Sequence, residues 1–264
     1  GYLSNDFCLH SVSFFLEPVL INHDRSRFEI FCYSNRTAAD ETTLRIRSLD
    51  LKWRDISNRP AVDAVQLIQG DKIDILVDLA GHTARNRMDI CALKPAPVLA
   101  TWIGYPHSTG MQQFDYYISD SICDPSSMTD RFFCEKVWRL PRVFSCYLPP
   151  MEFPQVSPPP YKRNGYITVG SFNNIAKVSE TTIKLWSDVM KWSPDACFFV
   201  KSASLGGNSA QKRLIERFAS HGVSENRLIL KAHTPTPLEH LKLYAEVDIA
   251  LDTFPYHGTT TTCE

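Results

Sequence analysis

Val247-Asp248-Ile249-Ala250-Leu251-Asp252-Thr253-Phe254-Pro255-Tyr256-His257-Gly258-Thr259-Thr260-Thr261-Thr262-Cys263-Glu264 closes the chain, and its reading sets the fold class. An apolar run ends in a turn holding Pro255 and Gly258; four threonines and an acid follow. The pattern predicts a buried parallel strand, a tight loop and the start of a helix. A helix start presents unpaired N–H groups and the positive end of a dipole. With hydroxyls beside them, such groups form a cradle for a diphosphate. The same hydroxyls can also cap the helix, and the two roles are compatible.

The same alternation recurs upstream. Tyr166–Phe172, Ala196–Lys201 and Arg227–Leu230 are predicted strands, separated by helices from Ser179 through Met190, from Gln211 to His221 and from Leu238 to Ala245. Gly222 closes the second of these helices. In the first half, Gly1–Ser4, Phe28–Tyr33, Ile73–Leu79, Pro97–Ile103 and Phe114–Ser119 are predicted strands. Helices are expected from a Ser11 cap through Leu20, with Pro18 near its start or at a kink, and over Ala61–Gln69. Strands alternating with helices predict α/β architecture with open parallel sheets. Between the halves, six of the twelve residues from Pro149 to Pro160 are proline. That density excludes regular structure and predicts a semi-rigid linker over 149–163. It separates an N-terminal lobe, 1–148, from a C-terminal lobe, 164–264.

In open α/β sheets, ligands bind beyond the carboxyl ends of the strands. Three polar loops fall there in the first lobe: the one with His10, the one with Gly81-His82-Thr83, and Gly104-Tyr105-Pro106-His107. An ordinary turn explains any one of them. Three together favour a site.

Composition narrows the function classes. Net charge is −1 with no basic run, which argues against nucleic-acid partners. No apolar run reaches membrane-spanning length, and the first residues lack the form of a signal peptide. Eight cysteines without a Cys-x-x-Cys pair, in a chain long enough to need no staples, predict reduced thiols and a cytoplasmic or nuclear location. There is no G-x-G-x-x-G and no Walker motif.

Several motifs then match in order. They are residues 1–10, Gly81-His82-Thr83, Lys94-Pro95-Ala96-Pro97, Trp102-Ile103-Gly104-Tyr105-Pro106, Gly170-Ser171-Phe172-Asn173-Asn174-Ile175-Ala176-Lys177 and the run from Asp252 to Glu264. Together they resemble the catalytic region of the protein O-glycosyltransferases, the family comprising O-GlcNAc transferase and SPINDLY. The wording around His10 and Phe172–Lys177, and Phe254-Pro255-Tyr256, is closer to SPINDLY. The resemblance implies a GT-B fold of two Rossmann-like lobes, with the second lobe incomplete here. It also implies tetratricopeptide repeats upstream, none of which is visible in this sequence. The expected activity is inverting transfer of a sugar from a nucleotide-sugar donor to Ser or Thr of protein acceptors.

The resemblance also implies roles. Lys177 matches the lysine on the donor diphosphate, where leaving-group charge must be stabilised. Thr260 and Thr261 match phosphate-binding threonines, Glu264 an acid on the ribose, and His240 a histidine near the base. Asn174 replaces a donor-contacting glutamine. His10 matches an acceptor-side histidine and is the expected essential one. His82, Gly104, Tyr105 and Pro106 are expected to shape the acceptor and sugar edge. A second histidine proposed as base in O-GlcNAc transferase aligns with Gln69, and a lysine near the uracil aligns with Pro237. The loss at Pro237 weakens the case for a uridine donor and, with the SPINDLY-like wording, favours GDP-fucose over UDP-GlcNAc. The sequence has no Asp-x-Asp, so no metal or other cofactor is expected. Two other readings stay open: a binding module of this fold without turnover, and an α/β nucleotide-binding protein of other activity. The truncated closing helix predicts weak donor binding by this chain alone.

Overall fold

A computed structural model describes residues 1–149 and 153–264; the middle of the expected linker, residues 150–152, lies outside the described residues. The chain divides into two compact units, 1–148 and 149–264. The first contains β1 (Tyr2–Ser4), α1 (Ser11–Asn22), β2 (Phe31–Ser34), α2 (Glu41–Arg47), β3 (Lys52–Asp55), α3 (Ala61–Gly70), β4 (Ile75–Asp78), α4 (Met88–Cys91), β5 (Val98–Thr101), β6 (Tyr116–Asp120) and β7 (Lys136–Leu140). These strands form one parallel sheet in the order β3-β2-β1-β4-β5-β6-β7.

Successive residues of the central strands feed opposite faces. Leu3, Phe31 and Tyr33 join Ile68 of α3 and Ile90 of α4 on one side. Tyr2 and Cys32 join Val12, Leu16 and Leu20 of α1 and Ile46 of α2 on the other. Burial on both faces is why these strands read as apolar runs.

Helix α1 is capped by His10, not by Ser11 as expected: His10 Nδ1 accepts the Val12 N–H at 3.3 Å. Pro18 lies in the helix interior. It has no N–H to offer the Phe14 carbonyl one turn back. Leu148 N–H takes that carbonyl at 2.8 Å. The segment leaving the first unit thus satisfies the group that the proline orphans.

The second unit contains α5 (Tyr161–Asn164), β8 (Thr168–Ser171), α6 (Glu180–Trp192), β9 (Cys197–Lys201), α7 (Asn208–Ser220), β10 (Leu228–Lys231), α8 (Pro237–Lys242), β11 (Ile249–Ala250) and α9 (Thr260–Cys263). Its parallel sheet has the order β10-β9-β8-β11. Val169, Phe198 and Val200 pack against Trp186 and Met190 of α6 and Leu214 and Phe218 of α7. Regular structure resumes at Tyr161, within the stretch expected to be linker, and Tyr161 N–H is held by Asp248 Oδ1 at 2.9 Å. One expectation is corrected here. Val247 to Leu251 is not a buried strand: only Ile249 and Ala250 pair, and Ile249 is 50% exposed. β11 ends the sheet, with β8 as its one strand neighbour among the described residues. All eight cysteines are free thiols.

Candidate active site

In the second unit, β8 and β11 are parallel neighbours, so their following loops leave from one edge. Asp252 ties the two loops together. Its Oδ1 accepts the N–H groups of Thr253 at 2.8 Å and Gly258 at 2.9 Å and the Asn173 amide at 2.9 Å. The Thr262 hydroxyl donates to Oδ2 at 3.3 Å. Burial pushes this carboxyl up, but these donors outweigh it and hold it below the usual range. Helix α6 pins the same loop: Ser179 and Thr182 hydroxyls donate to Phe254 O at 2.6 and 2.8 Å, and Trp186 Nε1 to Asp252 O at 3.2 Å.

Lys177 ends a single 3-10 turn, Ile175–Lys177, capped by Asn174 Oδ1 on the Ala176 N–H at 3.0 Å. Its Nζ lies 4.3 Å from the Tyr256 ring centre and makes a long 3.5 Å contact with His257 O. Burial lowers the ammonium pKa, and Asp252 acts in the opposite sense. This is a partly desolvated cation faced by a ring and a carbonyl, with no carboxylate in contact among the described residues. Further along the same loop Thr260 begins α9, and the first bonds of that turn run from Thr262 and Cys263 N–H to Thr259 O. The N–H groups of Thr260 and Thr261 therefore head the turn. Thr261 Oγ1 donates to Asn173 Oδ1 at 3.2 Å, and the Thr260 hydroxyl has no hydrogen bond among the described residues. The expected helix start is present as the single turn Thr260–Cys263.

His240 and Glu264 come together. Glu264 Oε2 is 3.1 Å from His240 Nε2 and accepts the Tyr244 hydroxyl at 2.9 Å. The Tyr244 ring stacks on Phe172 at 3.8 Å, with the His240 ring edge-on to both. Tyr244 OH also reaches Thr261 O at 3.3 Å, linking this group to the α9 turn. His240 Nδ1 is buried, with no hydrogen-bond partner among the described residues.

In the first unit the strand order reverses between β1 and β4, which opens a crevice at their carboxyl ends. His10 follows β1, His82 follows β4, and Tyr105 follows β5. His10 is about half exposed, with Nδ1 3.7 Å from Asp6 Oδ2. The loops after β4 and β5 touch. His82 meets the Tyr105 ring edge-on at 5.4 Å, and its Nε2 lies 2.6 Å from Thr109 O. A Cβ on Gly104 would stand 1.8 Å from Leu79 O, so only glycine permits this approach. Pro106 follows directly in the same loop. Asp78 Oδ2 accepts the Gly81 N–H at 2.6 Å, while Oδ1 has no hydrogen-bond partner. Burial pushes this carboxyl up to about 7 against the pull of the Gly81 and Ala80 amides. Glu135, also buried, accepts from Thr109 N–H at 2.7 Å, from the Thr109 hydroxyl and from the Ser108 hydroxyl at 2.8 Å.

Sequence reasoning missed Asp78, Glu135, Asp252, Asn173 and Tyr244 as organising groups. Asp78 and Asp252 carried a signal: an acid where an apolar run ends, at the ligand-binding edge. Glu135 carried none, because its partners lie 26 and 27 residues away.

Two open parallel α/β units with polar loops at the carboxyl ends of their strands are the architecture of the GT-B fold. The chain belongs to glycosyl transferase family 41, whose model matches residues 1–147. It is 41% identical over its whole length to the rice (Oryza sativa subsp. japonica) protein called probable UDP-N-acetylglucosamine–peptide N-acetylglucosaminyltransferase SPINDLY, of which it spans 29%. It is 28% identical to the SEC protein of Arabidopsis thaliana, called by the same transferase name, over 99% of this chain and 27% of that protein. A mutant of the Thermobaculum terrenum O-GlcNAc transferase superposes with a TM-score of 0.93 at 35% identity, over 99% of this chain and 49% of that one. The chain thus spans less than a third of the length of these curated relatives.

Proposed function

We propose that the full-length protein transfers a sugar from a nucleotide-sugar donor to Ser or Thr hydroxyls of proteins, with inversion. The observation that carries this reading is Lys177, held against Tyr256 and His257 of the loop that leads into α9, with no carboxylate in contact among the described residues. A diphosphate would supply the missing negative charge, and the cation would stabilise it as the leaving group forms. In this reading Thr260, Thr261 and Asn174 serve the phosphates and sugar, and His240, Glu264 and the Phe172–Tyr244 stack serve the nucleoside. The first unit, with His10, His82, Gly104, Tyr105 and Pro106, serves the acceptor. The protein works in the cytoplasm or nucleus, and no helix among the described residues is long and apolar enough to cross a membrane.

For the donor we favour GDP-fucose. Pro237 begins α8 behind a Thr236–Glu239 capping box, where O-GlcNAc transferase has its lysine. Identity to SPINDLY also exceeds identity to SEC. The names carried by the relatives favour UDP-GlcNAc, the second reading. Side-by-side transfer assays on full-length protein decide between them, with turnover by GDP-fucose expected and turnover by UDP-GlcNAc alone overturning the fucose reading. In the same assay Lys177→Met should lower kcat by about a hundredfold or more while the fold persists. Unchanged kcat would remove Lys177 from the mechanism.

A further inference from the structure

Two histidines stand at the ligand-binding edge of the first unit, and their hydrogen bonds fix opposite roles. His10 Nδ1 faces the Val12 backbone N–H at 3.3 Å. An N–H only donates, so Nδ1 is the bare nitrogen and neutral His10 carries its proton on Nε2. Its one lone pair is committed to the helix cap. His82 is the converse. Its Nε2 lies 2.6 Å from the Thr109 carbonyl, which only accepts. Nε2 therefore holds the proton, and Nδ1 keeps a free lone pair on an exposed ring.

The carbonyl that sets this tautomer is itself fixed. Glu135, 5% exposed, binds Thr109 through both its N–H and its hydroxyl and Ser108 through its hydroxyl. Tyr105 closes on the ring from its edge. A buried carboxylate, a backbone carbonyl and an aromatic neighbour thus orient one imidazole with its basic nitrogen outward.

We propose that His82, through Nδ1, takes the proton of the acceptor hydroxyl, and that Glu135 is the positioning residue that holds His82 in the required tautomer. The proposal rests on the glycosyltransferase reading above. The Ser or Thr oxygen attacks the anomeric carbon of the donor sugar, and the bond from that carbon to the diphosphate oxygen breaks. The bonding pair leaves with the nucleoside diphosphate. The hydroxyl proton passes to Nδ1 and is later released to water. His10, whose only bare nitrogen is occupied, positions groups by donation from Nε2.

Two measurements test this. Long-range proton–nitrogen correlation spectra of this chain, with His82→Asn used for assignment, read the tautomer without any donor. A protonated Nε2 and bare Nδ1 are expected for neutral His82; the reverse tautomer would overturn the proposal. In full-length protein, His82→Asn should lower kcat for transfer about a hundredfold with the donor KM within about threefold. Glu135→Gln should lower kcat in the same sense and shift the His82 nitrogen signals, which a merely structural loss would not do selectively. Wild-type kcat in a folded His82→Asn protein overturns the proton role. If the wild-type protein transfers sugar from neither donor, the glycosyltransferase reading itself fails, and the tautomer result shows whether the imidazole geometry stands apart from it.

Discussion

Asp78 shows how a single residue couples the site to solution conditions. It ends β4 at the crevice, wholly buried, with Oδ2 on the Gly81 amide and Oδ1 without a hydrogen-bond partner among the described residues. Burial raises its pKa from 3.8 to about 7. An acid whose folded pKa is raised contributes its full stability below the unfolded value, and loses it as pH rises through the folded one. The window is therefore from about pH 4 to about pH 7. Asp78→Asn keeps an acceptor for Gly81 N–H and carries no charge at any pH. Its stability should match wild type near pH 4 and exceed it at pH 8. Denaturant melts across this range check the difference, and parallel pH curves for the two proteins would show that Asp78 does not ionise with a raised pKa. The roles proposed for His10, His240 and Lys177 come only from resemblance. Nothing in spacing or periodicity distinguishes a lysine facing a tyrosine ring from one in solvent.

At the scale of elements, the central strands were legible and the edges were not. β1, β4, β5, β8 and β9 read as apolar runs because both sheet faces are covered. β3 is Lys52-Trp53-Arg54-Asp55, an edge strand without an apolar run, and the sequence reading passed over it. β7, with exposed Lys136 and Trp138, was missed at the other edge. α2 and α4, seven and four residues long, are too short for helical periodicity to register. The closing loop was read correctly as turn and helix start, yet its organiser, Asp252, acts through partners up to 79 residues away. Gly258 marks how tightly that loop is built. A Cβ there would stand 2.2 Å from both Asn173 Oδ1 and Thr261 Oγ1. Asn173 is buried and bonded to Asp252, so it has little room to yield. Gly258→Ala should lower stability by roughly 1–3 kcal/mol and weaken nucleotide binding. Thermal melts and a nucleotide-diphosphate titration of the full-length protein read both effects; an alanine variant unchanged in each would show that the loop relaxes freely.

Across the whole molecule, the two halves repeat one plan with separate cores. Residues of the first unit alone build the two clusters flanking its sheet, and residues of the second alone build the cluster around Phe198. The sequence showed this repetition because each half restarts the strand–helix alternation. The functional groups follow the same division: a tautomer-fixed imidazole belongs to one unit, and a desolvated lysine with a helix head to the other. Chemistry that needs both must draw on two bodies whose cores are independently packed. A cavity opened in one core should then be felt first in its own unit. Phe198 is fully buried and packs at a tilt against both Trp186 and Phe218. Phe198→Ala should cost about 3–5 kcal/mol, because the surrounding helices relax only partly into the space. Hydrogen exchange of the chain should show lost protection across β8, β9, α6 and α7, while the amides of β1, β4 and β5 keep theirs. Equal loss in both sheets would mean that the units unfold as one cooperative body, and the donor-side and acceptor-side groups would then share one stability.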